Sequence, residues 1–119
     1  MNAQLKPQSQ KAQVLATAFL NAGKELGLSQ SVLVEIIDRD RSSISRNGIS
    51  PNTNSGKLAL MLIRVYRSLF VLMGGNNTHI KHWMVTQNLH TGGIPAEQVR
   101  DISYLVKIVE YLDAMRGKV

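Results

Sequence analysis

The chain has 119 residues, of which 44% are hydrophobic and 18% charged, and its formal net charge is +6. This composition is typical of a folded domain and argues against a disordered chain. The absence of cysteine excludes disulfide bonds and thiolate metal sites. No apolar run approaches the roughly 18 residues of a transmembrane helix, and the first ten residues lack the apolar segment of a secretory signal. We therefore expect a cytoplasmic protein without membrane association.

The positive charge is concentrated in the first part of the chain. Residues 1–86 carry ten Lys and Arg against four Asp and Glu, whereas residues 87–119 carry four of each. Basic charge supplies the sequence-independent part of DNA affinity. A basic N-terminal part and a neutral C-terminal part predict two different partners. The alternative interpretation is a basic surface that only keeps the protein soluble.

The first 26 residues predict an arm and one helix. Residues 1–9 are polar, include Pro7 and are expected to form a flexible arm. From Gln10 to Leu26 the apolar residues recur at helical spacing, which predicts an amphipathic helix that ends at Gly27. Together with the basic charge of this part of the chain, this helix belongs to the region, residues 10–56, that we expect to bind DNA.

The stretch from Leu28 to Asn47 predicts a helix-turn-helix. Ser29 is a favourable N-cap, and the apolar residues after it repeat at helical spacing until Asp38-Arg39-Asp40 interrupts the pattern. The second helix, Arg41 to Arg46, has one apolar residue and otherwise only serine and arginine. A helix that exposes hydroxyls and guanidiniums suits base edges and phosphates. The residues expected to bind operator DNA are Ser29, Gln30, Arg39, Arg41, Ser42, Ser43, Ser45 and Arg46.

Residues 57–119 predict four more helices. Leu58 to Met73 is the longest, and a short helix capped by Asn77 or Thr78 follows it. Pro95 stands where another helix begins, and Asp101 can cap the last one, Ile102 to Met115. No strand-length alternating pattern occurs, so the chain is predicted to be all-α with about seven helices.

No catalytic or metal site is predicted. His79 and His82 could share a metal, but no third ligand is near them in sequence, so we interpret them as surface histidines. Trp83, which lies among apolar residues, is interpreted as a core anchor. We expect no enzymatic activity and no cofactor.

From Trp83 onward the sequence combines Trp83-Met84, Asn88-Leu89 before a glycine-containing loop, Pro95, and the segment Tyr111 to Met115 with Gly117 near the end. With these features it resembles the toxin-binding domain of the Xre/MbcA/ParS antitoxin family. The order of elements matches over the whole chain: leading helix, helix-turn-helix, long helix, Trp segment and final helix. The sequence departs from the family at Tyr104, where many members carry glycine, and the bulkier residue could alter helix packing or partner choice.

This resemblance implies a type II antitoxin that neutralises a RES-domain toxin acting on NAD. It implies an Xre/Cro-like helix-turn-helix subdomain packed with a C-terminal helical toxin-binding subdomain at residues 57–119. It also implies a homodimer within a larger toxin-antitoxin complex that represses its own operon. The toxin-binding residues expected are Asn88, Tyr111, Met115, Arg116, Gly117, Lys118 and Val119.

The cationic segment Arg116 to Val119 could cover the mouth of an NAD pocket and offer charge-assisted hydrogen bonds there. A frayed terminus without contacts is the alternative.

Two other functions stay open for the whole chain. One is a stand-alone transcriptional regulator whose C-terminal helices dimerise or sense a ligand. The other is an interaction protein that has lost DNA binding, because Asp38 and Asp40 would oppose a phosphate backbone unless paired with Arg39 and Arg41.

Overall fold

The computed structural model describes residues 7–118 and confirms the all-α class. Apart from one isolated bridge between Asn88 and Gly93, these residues contain no β-structure. Their seven helices are α1 (Pro7–Glu25), α2 (Gln30–Ile37), α3 (Arg41–Asn47), α4 (Asn54–Leu72), α5 (Asn77–Val85), α6 (Pro95–Gln98) and α7 (Ile102–Arg116). None of them is long and apolar enough to cross a membrane.

Five helices begin after a residue whose side chain accepts a hydrogen bond from the first turn: Ser29, Asp40, Thr53, Asn76 and Asp101. Such caps satisfy backbone N–H groups that have no partner within the helix. The predicted caps Ser29 and Asp101 are confirmed, whereas α5 is capped by Asn76 and not by Asn77 or Thr78. Hydrogen bonds from Ser103 lower the pKa of Asp101, so its carboxylate stays charged at the start of α7.

A single hydrophobic core runs through both predicted regions. The central helix is α4, since α1, α2, α5 and α7 all pack against it. Fully buried side chains come from five helices and include Phe19, Leu33, Leu62, Leu69, Ile80, Ile108 and Leu112. The predicted boundary between residues 56 and 57 falls in the first turn of α4, so it does not separate two cores.

Several helix ends differ from the sequence prediction. Helix α1 begins at Pro7, three residues early, because proline tolerates the first helical position. Residues 1–6 of the predicted arm lie outside the described residues. Helix α4 begins at Asn54, four residues before Leu58, because Thr53 caps it, and α7 continues one residue beyond Met115 to Arg116. Trp83, expected in the core, packs against it but is only partly buried.

Candidate functional site

Helix α3 turns most of its polar residues outward. It has one buried residue, Ile44, which fixes the inner side of the helix. The predicted DNA-binding residues Arg41, Ser42, Ser45 and Arg46 are all exposed. We call these four residues the α3 surface; it carries two guanidiniums and two hydroxyls, groups that can bind phosphates or base edges.

Arg39 and Ser43, both expected to contact DNA, have partners within the protein. The Nε of Arg39 donates to Ser43 Oγ at 3.1 Å, and Nη2 donates to the same hydroxyl and to the carbonyl of Gly48, the latter at 3.1 Å. Both side chains are partly buried. The guanidinium therefore ties the turn before α3 to the residue that ends it, which makes Arg39 a positioning residue in the free protein.

The two acids of the turn lie at helix ends. Asp40 caps α3, accepting from the backbone N–H of Ser43 at 2.6 Å. Asp38 ends α2 with a left-handed backbone, φ 54° and ψ 47°. Neither carboxylate forms an ion pair within residues 7–118, so the pairing with Arg39 and Arg41 that would offset their charge is not found there.

Ser29 and Gln30 lie at the start of α2, and both are exposed. The Ser29 hydroxyl accepts from Val32 N–H at 3.3 Å as the cap. Gln30 lines an open cleft of about 380 Å³ between α1, α2 and α3, together with Arg41 and Ser45. Gln13 and Thr17 of α1 line the same cleft and were missed by the sequence reasoning, although their i, i+4 spacing on a helix places them side by side.

The loop between α5 and α6 is closed by hydrogen bonds to Asn88. Its Oδ1 accepts from the backbone N–H of His90 at 2.8 Å and of Thr91 at 3.2 Å. Its backbone N–H donates to the Gly93 carbonyl at 2.8 Å, and its carbonyl accepts from Gly92 at 2.9 Å. Asn88, expected to bind toxin, thus uses its side-chain oxygen to hold the loop.

Two residues of α7 that were expected to bind toxin lie beside this loop or near the helix end. The ring of Tyr111 stacks on His90, with centroids 5.3 Å apart and an interplanar angle of 15°. Met115 lies one turn further along, and both side chains are half-buried. Because aromatic residues with a large partly exposed area often dominate protein interfaces, this end of α7 is a candidate binding surface.

The predicted cationic tail begins later than expected. Arg116 is the last residue of α7, and its Nη1 lies 3.5 Å from Ser68 Oγ on α4. Gly117 ends the helix with an ordinary right-handed backbone, and Gly117 and Lys118 are exposed. Val119 lies outside the described residues. The prediction that Arg116 belongs to the tail was wrong, because the helical pattern continues through it.

A mainly apolar groove of about 240 Å³ lies along α5 and the start of the loop between α5 and α6. It is lined by Met73, His79, His82, Trp83, Thr86, Gln87 and Asn88. His79 and His82 are exposed at this groove, and residues 7–118 include no group of three or more His, Cys, Asp or Glu that could hold a metal ion. Leu89, the only apolar residue between Thr86 and Gly93, was not predicted as a surface residue.

The groove, the loop and α7 lie within one segment that matches a known family. Residues 68–118 match the family described as the antitoxin Xre/MbcA/ParS C-terminal toxin-binding domain. No curated protein matches the chain. The family match confirms the resemblance drawn from Trp83, Asn88, Pro95 and the end of α7, and residues 68–118 of this protein therefore belong to the toxin-binding domain family of the Xre/MbcA/ParS-type antitoxins.

Proposed function

We propose that this protein neutralises a RES-type, NAD-consuming toxin and represses its own operon through the helix-turn-helix. The observation that carries the proposal is the family match over residues 68–118, the segment that contains the groove, the loop and α7. The RES class is proposed because the whole order of elements, with a helix-turn-helix ahead of this domain, resembles the antitoxins that accompany such toxins. No catalytic role is assigned to any residue of the antitoxin.

Neutralisation is proposed to occur at the mouth of the toxin's NAD pocket. In this proposal cationic groups lie over the mouth of that pocket and donate charge-assisted hydrogen bonds to acceptor groups there. Lys118 is exposed beyond the end of α7, and Arg116 extends from its last turn. In this proposal Tyr111 and Met115 supply the contact area, and the two cations supply the blocking charge.

The test is toxin-driven loss of NAD in the presence of each antitoxin variant. Deletion of residues 117–119 leaves α7 complete, and we expect it to weaken inhibition while complex formation persists. Lys57→Ala, which removes an exposed cation outside the matched domain, is the control and is expected to inhibit normally. Full inhibition by the truncated protein would exclude the blocking tail, and absence of any binding by the intact protein would exclude the RES partner.

We propose that the α3 surface binds operator DNA and that the binding form is a homodimer. A seven-residue helix reads only a few base pairs, and two copies about 34 Å apart would read a palindromic site. An apolar groove of about 480 Å³ between α1 and α4 supports a dimer interface. Its walls include Val14, which is 69% exposed, and Leu60, which is 47% exposed.

Light scattering of the intact protein and of Leu60→Glu tests the dimer. We expect a dimer for the intact protein and a monomer for Leu60→Glu. A monomeric intact protein, alone and with toxin, would exclude this part of the proposal.

The second candidate function is a stand-alone regulator, favoured by the exposed arginines of α3. Operator binding without binding of a RES-type toxin would support it.

A further inference from the structure

Leu89 is the most exposed large hydrophobic residue among residues 7–118, with 93% of its surface open to solvent. Single exposed apolar residues are ordinary on protein surfaces, so exposure alone assigns no role. Leu89, however, projects from a loop inside the toxin-binding domain. What decides its role is how the loop holds it and what surrounds it.

The loop that carries Leu89 is fixed on both sides of it. Asn88, immediately before it, makes the hydrogen bonds to His90, Thr91 and Gly93 described above. His90, immediately after it, is stacked on Tyr111 of α7. The amide of Gln98, from the end of α6, donates to the Thr91 carbonyl at 2.7 Å. An anchor that is already rigid loses little conformational entropy when it binds.

The surroundings of Leu89 favour a protein partner. On one side its neighbour Asn88 lines the groove that contains Trp83, and on the other side its neighbour His90 contacts Tyr111. Between Lys81 and Arg100 the only charged residue is Glu97. Phosphate-bearing partners, such as nucleic acid or a membrane surface, are bound through clusters of Lys and Arg, which this segment lacks. Apolar and aromatic groups with little charge are typical of the centre of a protein interface.

We propose that Leu89 is the anchor of the toxin interface and inserts into an apolar pocket on the toxin surface. This inference rests on the toxin-binding function proposed above. In this arrangement Asn88 is a positioning residue, because its side chain holds the loop while Leu89 makes the contact. The stacking of His90 on Tyr111 fixes Leu89 relative to α7, so Leu89 and the end of α7 that carries Tyr111 and Met115 bind the toxin together.

The experiment is a calorimetric titration of each antitoxin variant with the RES-type toxin encoded beside it. Leu89→Ala should raise Kd about 30-fold or more, as expected for a central anchor, and Leu89→Asp should raise it further. Leu89→Met, which keeps a long apolar side chain, should stay close to the intact protein. All three should unfold at the same temperature as the intact protein, because Leu89 buries little in the free state.

Ile102→Asp is the matched control. Ile102 is 61% exposed in the same domain, and it precedes Tyr111 by nine residues, which places it on the opposite side of α7. We expect its Kd to match that of the intact protein. A Leu89→Asp Kd within about threefold of the intact value, which is less than a single anchor contributes, would overturn the anchor while leaving the antitoxin function in place. An equal loss in Ile102→Asp would also overturn it, since added charge would then explain the effect. Absence of binding by the intact protein would overturn both.

Discussion

Glu35 of α2 and Arg100, which lies between α6 and α7, form a bidentate ion pair that joins the helix-turn-helix to the toxin-binding domain. Arg100 Nη2 lies 2.8 Å from Glu35 Oε1, and Nε lies 3.2 Å from Oε2. The hydrogen bond to Glu35 is the main cause that raises the pKa of Arg100. Both side chains are about half exposed, at 47% and 49%. Water and salt therefore screen the pair, so it contributes little to the free energy of unfolding.

We expect Arg100→Ala to change the unfolding temperature only slightly, and the difference to disappear at high salt. Calorimetric scans at low and high salt would measure both effects. Lys57→Ala is the control, because Lys57 is an exposed cation with no ion-pair partner among residues 7–118. A large loss of stability that persists at high salt would contradict this view of the pair.

Arg46→Ala should weaken operator binding by about 1–3 kcal/mol if its guanidinium makes a bidentate contact to a base. Arg41→Ala together with Arg46→Ala should reduce both the affinity and its dependence on salt. Gel-shift titration against the promoter of the protein's own operon is the measurement. The same affinity in the double variant as in the intact protein would exclude α3 as the DNA-binding helix.

Arg39→Ala should lower the free energy of unfolding by about 1–3 kcal/mol, because it removes the donors to Ser43 Oγ and the Gly48 carbonyl at a partly buried position. Ser43→Ala removes one acceptor and should cost less. Urea unfolding followed by circular dichroism would compare the two. If Arg39→Ala weakened DNA binding at unchanged stability, Arg39 would contact DNA directly, as the sequence first suggested.

Asp38→Gly should raise the free energy of unfolding by about 0.5–1 kcal/mol, because glycine adopts the left-handed conformation of this position without a steric penalty. Asp38→Asn is the control, since it keeps a side chain that tolerates this conformation and removes only the charge. Both variants should bind DNA more tightly than the intact protein if the carboxylate repels the phosphates. A destabilised Asp38→Gly would show that the carboxylate makes a favourable interaction that outweighs the strain.

The helices could be predicted from the sequence because their signals are local. Ser29 and Asp101 are N-cap residues that predict where helices begin, and the spacing of the apolar residues in α4 and α7 predicts which side of each helix is buried. The contact of Arg39 with Gly48 could not be predicted, since it depends on how a turn brings two residues nine positions apart together. The exposure of Leu89 could not be predicted either, because an apolar residue in a loop can be buried or exposed to solvent. The end of α7 was misplaced by one residue, since glycine at position 117 signals a stop without specifying the last helical residue.

The matched domain begins at Ser68, and this residue is buried in the interior of α4, with 1% of its surface exposed. A fragment cut at that point would divide the central helix and expose the face that α1 and α7 cover. Neither half can therefore be transplanted as an independent module, and a chimaera must keep α4 whole together with the helices packed on it. Cooperative unfolding of the shared core would disrupt the α3 surface and the end of α7 in the same event.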